Sequence, residues 1–567
     1  MPLSETLSRT GDASELSPSG PYRAVKQFGL VLLCTAWILL GLFGHDPWKP
    51  DDATAMGIAY DMLKEGDWIV PHLAGTPVPD RPPLFYALAA AAAGAFRGVL
   101  PLHDGARIAV ALAVGAALSL LSLTARELYG RAFRWLPVLL FIGSVGLWDR
   151  GHQLSPEIGA LFADAIALYA LALVLRRPIV GGALLGVAVG VAFLCRGPLG
   201  AALIVLTASI LPLFTSWRTP RYALALAAAA AIAIPLVLVW PVALYLREPA
   251  LFVQWLEAHA VAKFFGVAEG SPPVEPFYYL KNLPWFAWPA LPLALWTLWV
   301  RGRGFNGSLA SPGVELPLTF FCVLLVVLSA AAEPRASLAL PMLLPLALLG
   351  AAEVDTLKRD LSGALDWFGI LTFGLIGVLL WGLWLETLRR GLPDAVAHLF
   401  RDTQPGYQPP WQLLPVLASI LLTMLWLILV RPARRSNRRA VLNWAAGMTL
   451  AWGLFATIWL PYVDSRRSYR PVVESLAANL PADTCVAGRN LGEPQRALLD
   501  YFANIVTTRD DLPQATRCDA LLMQLGGNDS AEPPDSAWEK VWEGRRRGDD
   551  TERFVLFRRP PMARTAS

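Results

Sequence analysis

Charged side chains are scarce in this 567-residue chain, because Asp, Glu, Lys and Arg make up only 16% of it whereas 55% is hydrophobic. A soluble protein cannot bury that much apolar surface, so the shortage of charge excludes a soluble class and indicates a polytopic membrane protein. The net charge of +4 is too small to indicate a nucleic-acid partner. The arginines instead recur in short clusters between apolar runs, where they report topology.

Metal-ligand spacings and internal repeats are also lacking. Five residues are candidate ligands for a divalent ion, but their spacings match no recognised ligand motif. They are Asp51, Asp52, His72, Asp80 and Glu157. We therefore expect that no metal is required. A secondary transporter would typically show paired repeats with polar residues near the bilayer midplane, whereas here the ionisable residues mostly collect at one predicted membrane surface.

Apolar runs of membrane-spanning length recur along most of the chain. The segment Pro83–Phe96 is apolar too, but it is short, alanine-rich and flanked by Arg81 and Arg97, so we predict an interfacial or re-entrant helix there. The first run has no convincing cleavage site and is predicted to be a retained helix. The thirteen predicted spans are 27–44, 107–125, 133–149, 157–175, 179–195, 199–216, 222–246, 284–300, 314–332, 336–352, 365–385, 411–430 and 440–460.

The basic clusters support this topology. If the N-terminus is cytoplasmic and 83–96 does not span, most arginine clusters fall in inside loops, as the positive-inside rule requires. If 83–96 spanned, every later cluster would face outward. One outer loop disagrees, because it carries Arg389, Arg390 and Arg401, although three acids accompany them. The inside clusters lie at 126–134, 176–177, 218–221, 301–303, 358–359 and 431–439.

The topology divides the chain into a cytoplasmic tail (1–26), a transmembrane domain (27–461) and an exported soluble domain (462–567). The predicted class is therefore a mainly α polytopic protein with a small C-terminal α/β domain. In the long outer loop 45–106, residues 51–65 have helical spacing with apolar residues on one side, which predicts an amphipathic helix lying in the interface. Those apolar residues are Ala55, Ile58, Ala59 and Met62.

The C-terminal domain is polar and alternates helix and strand patterns. DSRRSYRPVVESLAANLP and LGEPQRALLDYFAN are typical of helices, and TCVAGR, CDALLMQL and FVLF of strands. Of the five cysteines, Cys485 and Cys518 share this domain, where an oxidising compartment permits a disulfide between them. Cys34, Cys195 and Cys322 lie in or near predicted membrane helices.

Several motifs carry a family resemblance. In the first outer loop stand WKPDDA, GDWIVPHLAG and PDRPPLFY, followed along the chain by HQLSPE, LCRGPLG, LREPALFVQWLEAHAVAKFF and PFYYLKNLPW. In this order they resemble the C-type membrane glycosyltransferases of the aminoarabinose transferase and protein O-mannosyltransferase group. The resemblance covers about the first 350 residues by motif and the remainder by architecture only.

The resemblance implies an inverting transfer, in which an acceptor oxygen attacks the anomeric carbon of a polyprenyl-phosphate sugar. Asp51 matches the family's essential acid and would accept the acceptor's proton or orient its oxygen. The structural alternative is that Asp51 merely caps the helix that follows Pro50. Asp52 stands where relatives often carry Glu. Asp80 precedes the basic residue of the PDRPPLFY motif. Both are expected as supporting acids.

The same resemblance implies a set of cations for the donor phosphate. Arg81 stands where relatives usually have Lys, and Arg196 occupies the basic position of LCRGPLG; a phosphate can be held bidentately by arginine. Headgroup contact by a snorkelling side chain is the alternative for Arg81. Lys263 and Arg335 match further basic positions of the family.

His152 and Glu157 lie before and at the start of the fourth predicted span, where the family tends to place a second acid. This chain has Ser155-Pro156-Glu157 where relatives often show Asp beside Pro, so the acceptor-side role falls to Glu157 or to neither residue. A histidine at this depth is more often an interfacial anchor than a catalytic group, and His152 is kept as an acceptor-side candidate beside that alternative. Asp164, deeper in the same span, is a further intramembrane candidate.

From these residues we expect an inner-membrane enzyme that uses a polyprenyl-phosphate sugar as donor and needs no other cofactor. Its active site and C-terminal domain are predicted on the periplasmic side, and its acceptor is an envelope lipid, glycan or protein. GDWIVPHLAG favours aminoarabinose transfer to lipid A, whereas ATAMGIAY after Asp52 lacks the Arg-Tyr common in that branch. The alternatives of another class are a non-catalytic lipid-binding protein and a transporter.

Overall fold

The computed structural model of the chain is mainly helical, with a small mixed sheet near the C-terminus. It describes residues 20–258, 264, 266, 274–304, 306–393, 407–431, 436–481, 484–510, 515–516, 518–527, 529–547, 549 and 551–559.

Helices make up most of the part that precedes the sheet. The first ten are α1 (Gly20–Leu39), α2 (Asp51–Glu65), α3 (Leu84–Phe96), α4 (Leu102–Tyr129), α5 (Leu136–Ile142), α6 (Pro156–Val174), α7 (Pro178–Arg196), α8 (Pro198–Ile210), α9 (Pro220–Arg247) and α10 (Pro249–Ala258). The next seven are α11 (Tyr278–Phe286), α12 (Ala290–Gly302), α13 (Pro312–Ser329), α14 (Leu343–Ala352), α15 (Arg359–Arg390), α16 (Leu413–Leu429) and α17 (Asn437–Ile458).

Within the described ranges, 7 helices are long and apolar enough to cross a membrane, namely α4, α6, α7, α9, α13, α15 and α17. Helices α11 and α12 pass the same test only together, and they meet at a bend of 98°. Pro289 lies at this break, where its ring removes a backbone donor. Several other predicted spans correspond to shorter apolar helices, such as α1, α8 and α16. A multi-span helical architecture is therefore confirmed, and the count of thirteen stays a prediction.

The 13-residue helix α3 occupies the segment predicted not to span. At about 1.5 Å per residue it is about 20 Å long, which is short of the roughly 30 Å hydrocarbon core. It packs against α2 and α4, and its buried face is made of small side chains and two aromatic rings.

The loops predicted to lie inside meet at one end of the helix bundle. Arg438 at the start of α17 pairs with Asp355 at 2.6 Å and donates to the Ala132 carbonyl at 2.9 Å. Arg301 at the end of α12 pairs with Glu353 at 2.8 Å. Because these contacts join the loops that follow α4, α12 and α14, the basic clusters share one end, and the first loop and C-terminal domain share the other.

Helix α2 differs from its predicted amphipathic, interface-lying form. It begins at Asp51 and ends at Gly66, whose left-handed conformation (φ 74°) closes the helix without the steric cost of a side chain. Ala55, Ile58, Ala59 and Met62 are buried as expected, but the opposite side, including Ala53 and Gly57, is buried as well. The C-terminal domain covers that side, so α2 is a sandwiched helix.

The C-terminal domain contains α18 (Leu460–Arg467), α19 (Arg470–Ala477), α20 (Glu493–Ala503) and five strands. The first two strands of the chain, β1 (His72–Leu73) and β2 (Thr76–Pro77), form a hairpin in the first loop. The five strands of the C-terminal domain are β3 (Val486–Arg489), β4 (Thr507–Arg509), β5 (Ala520–Gly526), β6 (Glu539–Gly544) and β7 (Glu552–Arg558). The sheet order is β4–β3–β5–β7–β6, with β3 parallel to β4 and β5 and with β7 antiparallel to its neighbours.

The predicted α/β character of this domain is confirmed. The sequence pattern missed β4 and β6, which are short edge strands, since TTR and EKVWEG carry few apolar residues. The helix predicted over 464–481 is two helices, α18 and α19, separated around Ser468. Cys485 and Cys518 are joined by a disulfide that links residues 33 positions apart.

Helix α20 docks the C-terminal domain on α2. A Cβ added to Gly57 would lie 2.5 Å from the Cβ of Ala497, so glycine is needed for the two helices to approach this closely. Lys64 pairs with Asp500 at 2.9 Å. His103 on α4 bonds the Tyr501 hydroxyl at 2.8 Å. The C-terminal domain is therefore packed directly on the helix that begins with Asp51.

Candidate active site

A cavity of about 1030 Å³ lies where the first loop, the ends of α6 and α7, the 332–338 segment and the C-terminal domain meet. Six of the predicted site residues line it together: Asp51, Asp80, Arg81, Glu157, Arg196 and Arg335. These positions span almost 300 residues of chain, so tertiary packing alone brings them together. They share one cavity, and the role of each stays a prediction.

Pro50 occupies the N-cap position of α2, and Asp51 is the first residue of the helix and lines the cavity. Burial raises the pKa of Asp51, and the nearby Glu157 carboxylate adds to the increase, while Arg335 and Arg81 oppose it. An acid with a raised pKa that faces a polar cavity is a suitable proton acceptor.

Glu157 and Arg196 form an ion pair between the outer ends of two membrane helices. Ser155 caps α6 by accepting from the Glu157 backbone N–H at 3.3 Å, which fixes Glu157 in the first turn. Arg196 is the last residue of α7, where the helix dipole favours a cation. Its Nε donates to Glu157 Oε2 at 2.7 Å, and its buried Nη1 has no hydrogen-bond partner among the described residues. Arg196 therefore lines the cavity and retains one donor that no described residue uses.

The other two sequence-predicted cations that line the cavity are also paired with carboxylates. Arg81 forms an ion pair with Glu493, the first residue of α20. Its Nε lies 4.0 Å from Asp80. Arg335 pairs with Glu333 at 2.8 Å. Lys263, the remaining predicted phosphate ligand, lies outside the described residues.

Asp52 is not an acceptor-side residue, and this corrects the sequence expectation. Its carboxylate is buried, pairs with the fully buried Arg107 at 2.7 Å and accepts the Leu154 N–H at 3.0 Å. Burial alone would raise the pKa of Asp52, but Arg107 and His45 hold it below its usual value. Asp52 thus joins α2 to α4 and to the loop before α6, which positions Asp51 and Glu157 without contacting the cavity.

His152 also faces away from the cavity, which corrects its assignment to the acceptor side. Its Nε2 lies 2.7 Å from the Trp37 carbonyl oxygen, and its ring stacks on Trp452 at 4.5 Å. Burial lowers the pKa of His152 to about 4, so the ring is neutral at physiological pH. It packs the segment before α6 against α1 and α17. Asp164 is likewise buried deeper in α6, beneath the Glu157–Arg196 pair.

Sequence reasoning missed several residues of this region. Arg107 stands early in an apolar run, which was a detectable sign of a buried, paired cation. Glu493 was detectable only as an acid at the start of a predicted helix. Arg150, Arg467 and Arg546 also line the cavity, and nothing in their local patterns distinguishes them. Among the described residues, no three His, Cys, Asp or Glu side chains are grouped to hold a metal ion.

Comparison with known proteins agrees with this geometry, although no protein-family model matches the chain. The chain is 31% identical over 444 residues to the undecaprenyl phosphate-alpha-4-amino-4-deoxy-L-arabinose arabinosyl transferase of Pseudomonas aeruginosa (strain UCBPP-PA14), covering 76% of this chain and 74% of the relative. It is 29% identical over 390 residues to arabinosyl transferase 2 of Pseudomonas fluorescens (strain Pf0-1), with coverages of 66% and 68%.

Among solved structures, the fold is similar to ArnT from Cupriavidus metallidurans bound to undecaprenyl phosphate. The TM-score is 0.65 at 15% identity, and the match covers 95% of this chain and 98% of that one. The apo structure of the same protein matches equally well, at 16% identity. The chain belongs to the undecaprenyl phosphate-alpha-4-amino-4-deoxy-L-arabinose arabinosyl transferase family, whose members are C-type membrane glycosyltransferases.

Proposed function

We propose that this protein transfers a sugar from a polyprenyl-phosphate donor to an acceptor at the exported face of the membrane, with inversion at the anomeric carbon. The observation that carries the proposal is the shared cavity, in which Asp51 lies with Arg81, Arg196 and Arg335. One carboxylate for the acceptor and several cations for a phosphate are the groups that this transfer requires. The family relatives are named for an undecaprenyl-phosphate sugar donor, which supports the same donor class here.

The cations are proposed to hold the donor phosphate. Arg196 supports this role most directly, because it lines the cavity at the C-terminus of α7 and its guanidinium has one nitrogen without a hydrogen-bond partner among the described residues. Arg81 and Arg335 line the same cavity and would add positive charge there while the lipid phosphate leaves. Lys263 remains a proposed ligand on the family resemblance.

Asp51 is proposed to act on the acceptor. The acceptor oxygen forms a bond to the anomeric carbon, the bond from that carbon to the phosphate oxygen breaks, and the lipid phosphate leaves with the electron pair. Asp51 accepts the proton of a hydroxyl acceptor, or orients the oxygen of a phosphate acceptor that is already ionised. Burial and, to a lesser extent, the Glu157 carboxylate raise the pKa of Asp51 and so make it a stronger base.

Aminoarabinose transfer to lipid A is the second candidate. It is favoured by the names of the relatives, which specify 4-amino-4-deoxy-L-arabinose as the sugar. We keep the broader acceptor class of lipid, glycan or protein as the main proposal, because the first loop departs from that branch after Asp52.

The finer topology belongs to the same proposal. We place thirteen spans in the membrane, with 1–26 in the cytoplasm and both the 45–106 loop and the 462–567 domain in the periplasm. The gathering of the basic loops at the end opposite the cavity supports this orientation. No metal takes part in the proposed transfer, and the lipid-linked sugar is the donor substrate.

Replacement of Asp51 by Asn tests the function. In full-length protein reconstituted in lipid nanodiscs with an undecaprenyl-phosphate sugar, D51N is expected to lower release of undecaprenyl phosphate by at least about 100-fold. Binding of undecaprenyl phosphate should be retained, since the arginines proposed to hold the phosphate are unchanged in this variant. The matched control is D360N, which removes an exposed first-turn acid of α15 at the opposite end of the bundle.

A wild-type turnover rate in D51N would refute the catalytic assignment. Stoichiometric binding without release of lipid phosphate by the wild-type protein would support a non-catalytic lipid-binding protein. Movement of the intact donor across a sealed vesicle membrane would support a transporter.

A further inference from the structure

The C-terminal domain places a carboxylate in the proposed donor site. Glu493 begins α20 and forms an ion pair with Arg81, which is 412 positions earlier in the chain. Both side chains remain partly exposed, Arg81 at 26% and Glu493 at 46%, and both line the 1030 Å³ cavity. The pair therefore forms part of the cavity wall and is open to exchange with a ligand.

The three cations proposed to hold the phosphate, Arg81, Arg196 and Arg335, each pair with one carboxylate, but the carboxylates differ in origin. Glu157 and Glu333 belong to the membrane domain, as do their partners Arg196 and Arg335. Glu493 belongs to the soluble domain. Its pair with Arg81 is thus a direct contact between that domain and one of the proposed phosphate cations.

We propose that the Glu493 carboxylate pairs with Arg81 where the donor phosphate would bind, and that it must be displaced when the lipid phosphate binds. This inference rests on the proposed function, because it assumes that Arg81 serves a polyprenyl phosphate. A guanidinium that is engaged by one carboxylate has fewer donors free for a phosphate, and the two anions also repel each other. Glu493 therefore weakens the hold of the site on lipid phosphate and makes it dependent on the docked domain.

The charge of the lipid phosphate changes during transfer, and this change makes the competition from Glu493 matter most for the product. The donor is a phosphodiester with one negative charge, whereas the released lipid phosphate is a monoester with a charge of about −1.5 to −2 at pH 7. The product would consequently bind the cations more tightly than the substrate does. A carboxylate that returns to Arg81 opposes this tighter binding and so assists product release.

The position of Glu493 is fixed relative to Asp51 by helix packing. Ala497 of α20 meets Gly57 of α2, one turn beyond Glu493 and well within the helix that begins at Asp51. Lys64 and Asp500 form an ion pair further along the same helix pair. The carboxylate that competes for Arg81 is therefore carried by the helix that also supports Asp51.

Binding and turnover of the E493Q variant test the proposal in full-length protein in nanodiscs. With undecaprenyl phosphate as the probe, E493Q is expected to bind about 3- to 10-fold more tightly than wild type. Under turnover, kcat and KM should both fall, because substrate and product are held longer. The matched control is E539Q, which removes an exposed carboxylate from strand β6 of the same domain and should change neither quantity.

A double-variant cycle identifies the partner. R81A should weaken binding of undecaprenyl phosphate, and R81A with E493Q should show little further change, since the competed cation is gone. Tighter binding in E493Q that persists fully without Arg81 would overturn the proposal. So would binding by E493Q that equals or falls below wild type while the Tm is unchanged.

The inference and the proposed function fail in different ways. If wild type binds undecaprenyl phosphate and R81A weakens that binding, but E493Q equals wild type, only the role of Glu493 is refuted. If the wild-type protein does not bind undecaprenyl phosphate, the proposed function is refuted and this inference with it.

Discussion

At the scale of single residues, the environment of each acid decides what it can do. Asp51 and Asp52 are adjacent in sequence, yet the pKa of Asp51 is raised by burial and Glu157 whereas that of Asp52 is lowered by Arg107. The first is suited to accept a proton, and the second remains an anion that joins three segments. Two neighbouring carboxylates thus have separate roles because Asp51 lines the cavity whereas Asp52 is buried against Arg107.

The pH dependence of turnover provides a test at this scale. Asp51 must be ionised to accept a proton, so kcat/KM should fall as the pH drops through its raised pKa. Because Glu157 contributes to that increase, E157Q should move the acid limb of the kcat/KM profile to lower pH, whatever it does to the maximal rate. E539Q should leave the limb in place. An acid limb that is unmoved or shifted upward in E157Q would contradict the coupling.

At the scale of elements, the packing of α2 against α20 is a main contact between the two domains. Asp61 is buried beside Asp500, and Lys64 pairs with Asp500. Burial and the neighbouring Asp500 raise the pKa of Asp61 to about 7, and Glu65 adds to the increase. The Gly75 N–H, which donates to the Asp61 carboxylate, opposes it. The contact is therefore best satisfied when Asp61 carries a proton.

Stability against pH tests this contact. Since the folded pKa of Asp61 is about 7 and its ordinary value is 3.8, its stabilising contribution is present below about pH 4 and is lost as the pH rises through 7. The side-chain amide of the D61N variant is neutral throughout, so the Tm of D61N minus that of wild type should increase from pH 5 to pH 8, by about 2 °C or more. The difference for D360N should stay constant. A D61N difference that decreases with pH would contradict the assigned protonation.

At the scale of the whole molecule, the protein is a multi-pass protein of a bacterial inner membrane, and its charge is divided between two ends. Basic loops join one another at one end through pairs such as Arg438–Asp355, and the cavity with the C-terminal domain occupies the other. This division agrees with cytoplasmic basic loops and a periplasmic site.

Labelling of single cysteines tests the orientation. Arg97 at the end of α3 and Lys358 before α15 are both exposed, and they lie in loops assigned to opposite sides. With a membrane-impermeant maleimide on intact spheroplasts, R97C should be labelled, and K358C should react only after the membrane is disrupted. Wild type, whose Cys34 and Cys195 are buried and whose Cys322 is exposed on the membrane helix α13, provides the background signal. The reverse pattern would place the 45–106 loop in the cytoplasm and refute the proposed site location.

The sequence by itself determined the membrane class, the short helix at 84–96, the polar α/β domain and six of the residues that line the cavity. These are local properties, because apolar run length, basic clusters and ordered motifs can be read along a single stretch of chain. Tertiary structure decided the rest: His152 packs against Trp37 and Trp452, Asp52 meets Arg107, and Glu493 reaches Arg81. A periodic pattern predicts that a face of α2 is buried, but the partner that covers its other face lies more than 400 residues away, and only packing in three dimensions selects it.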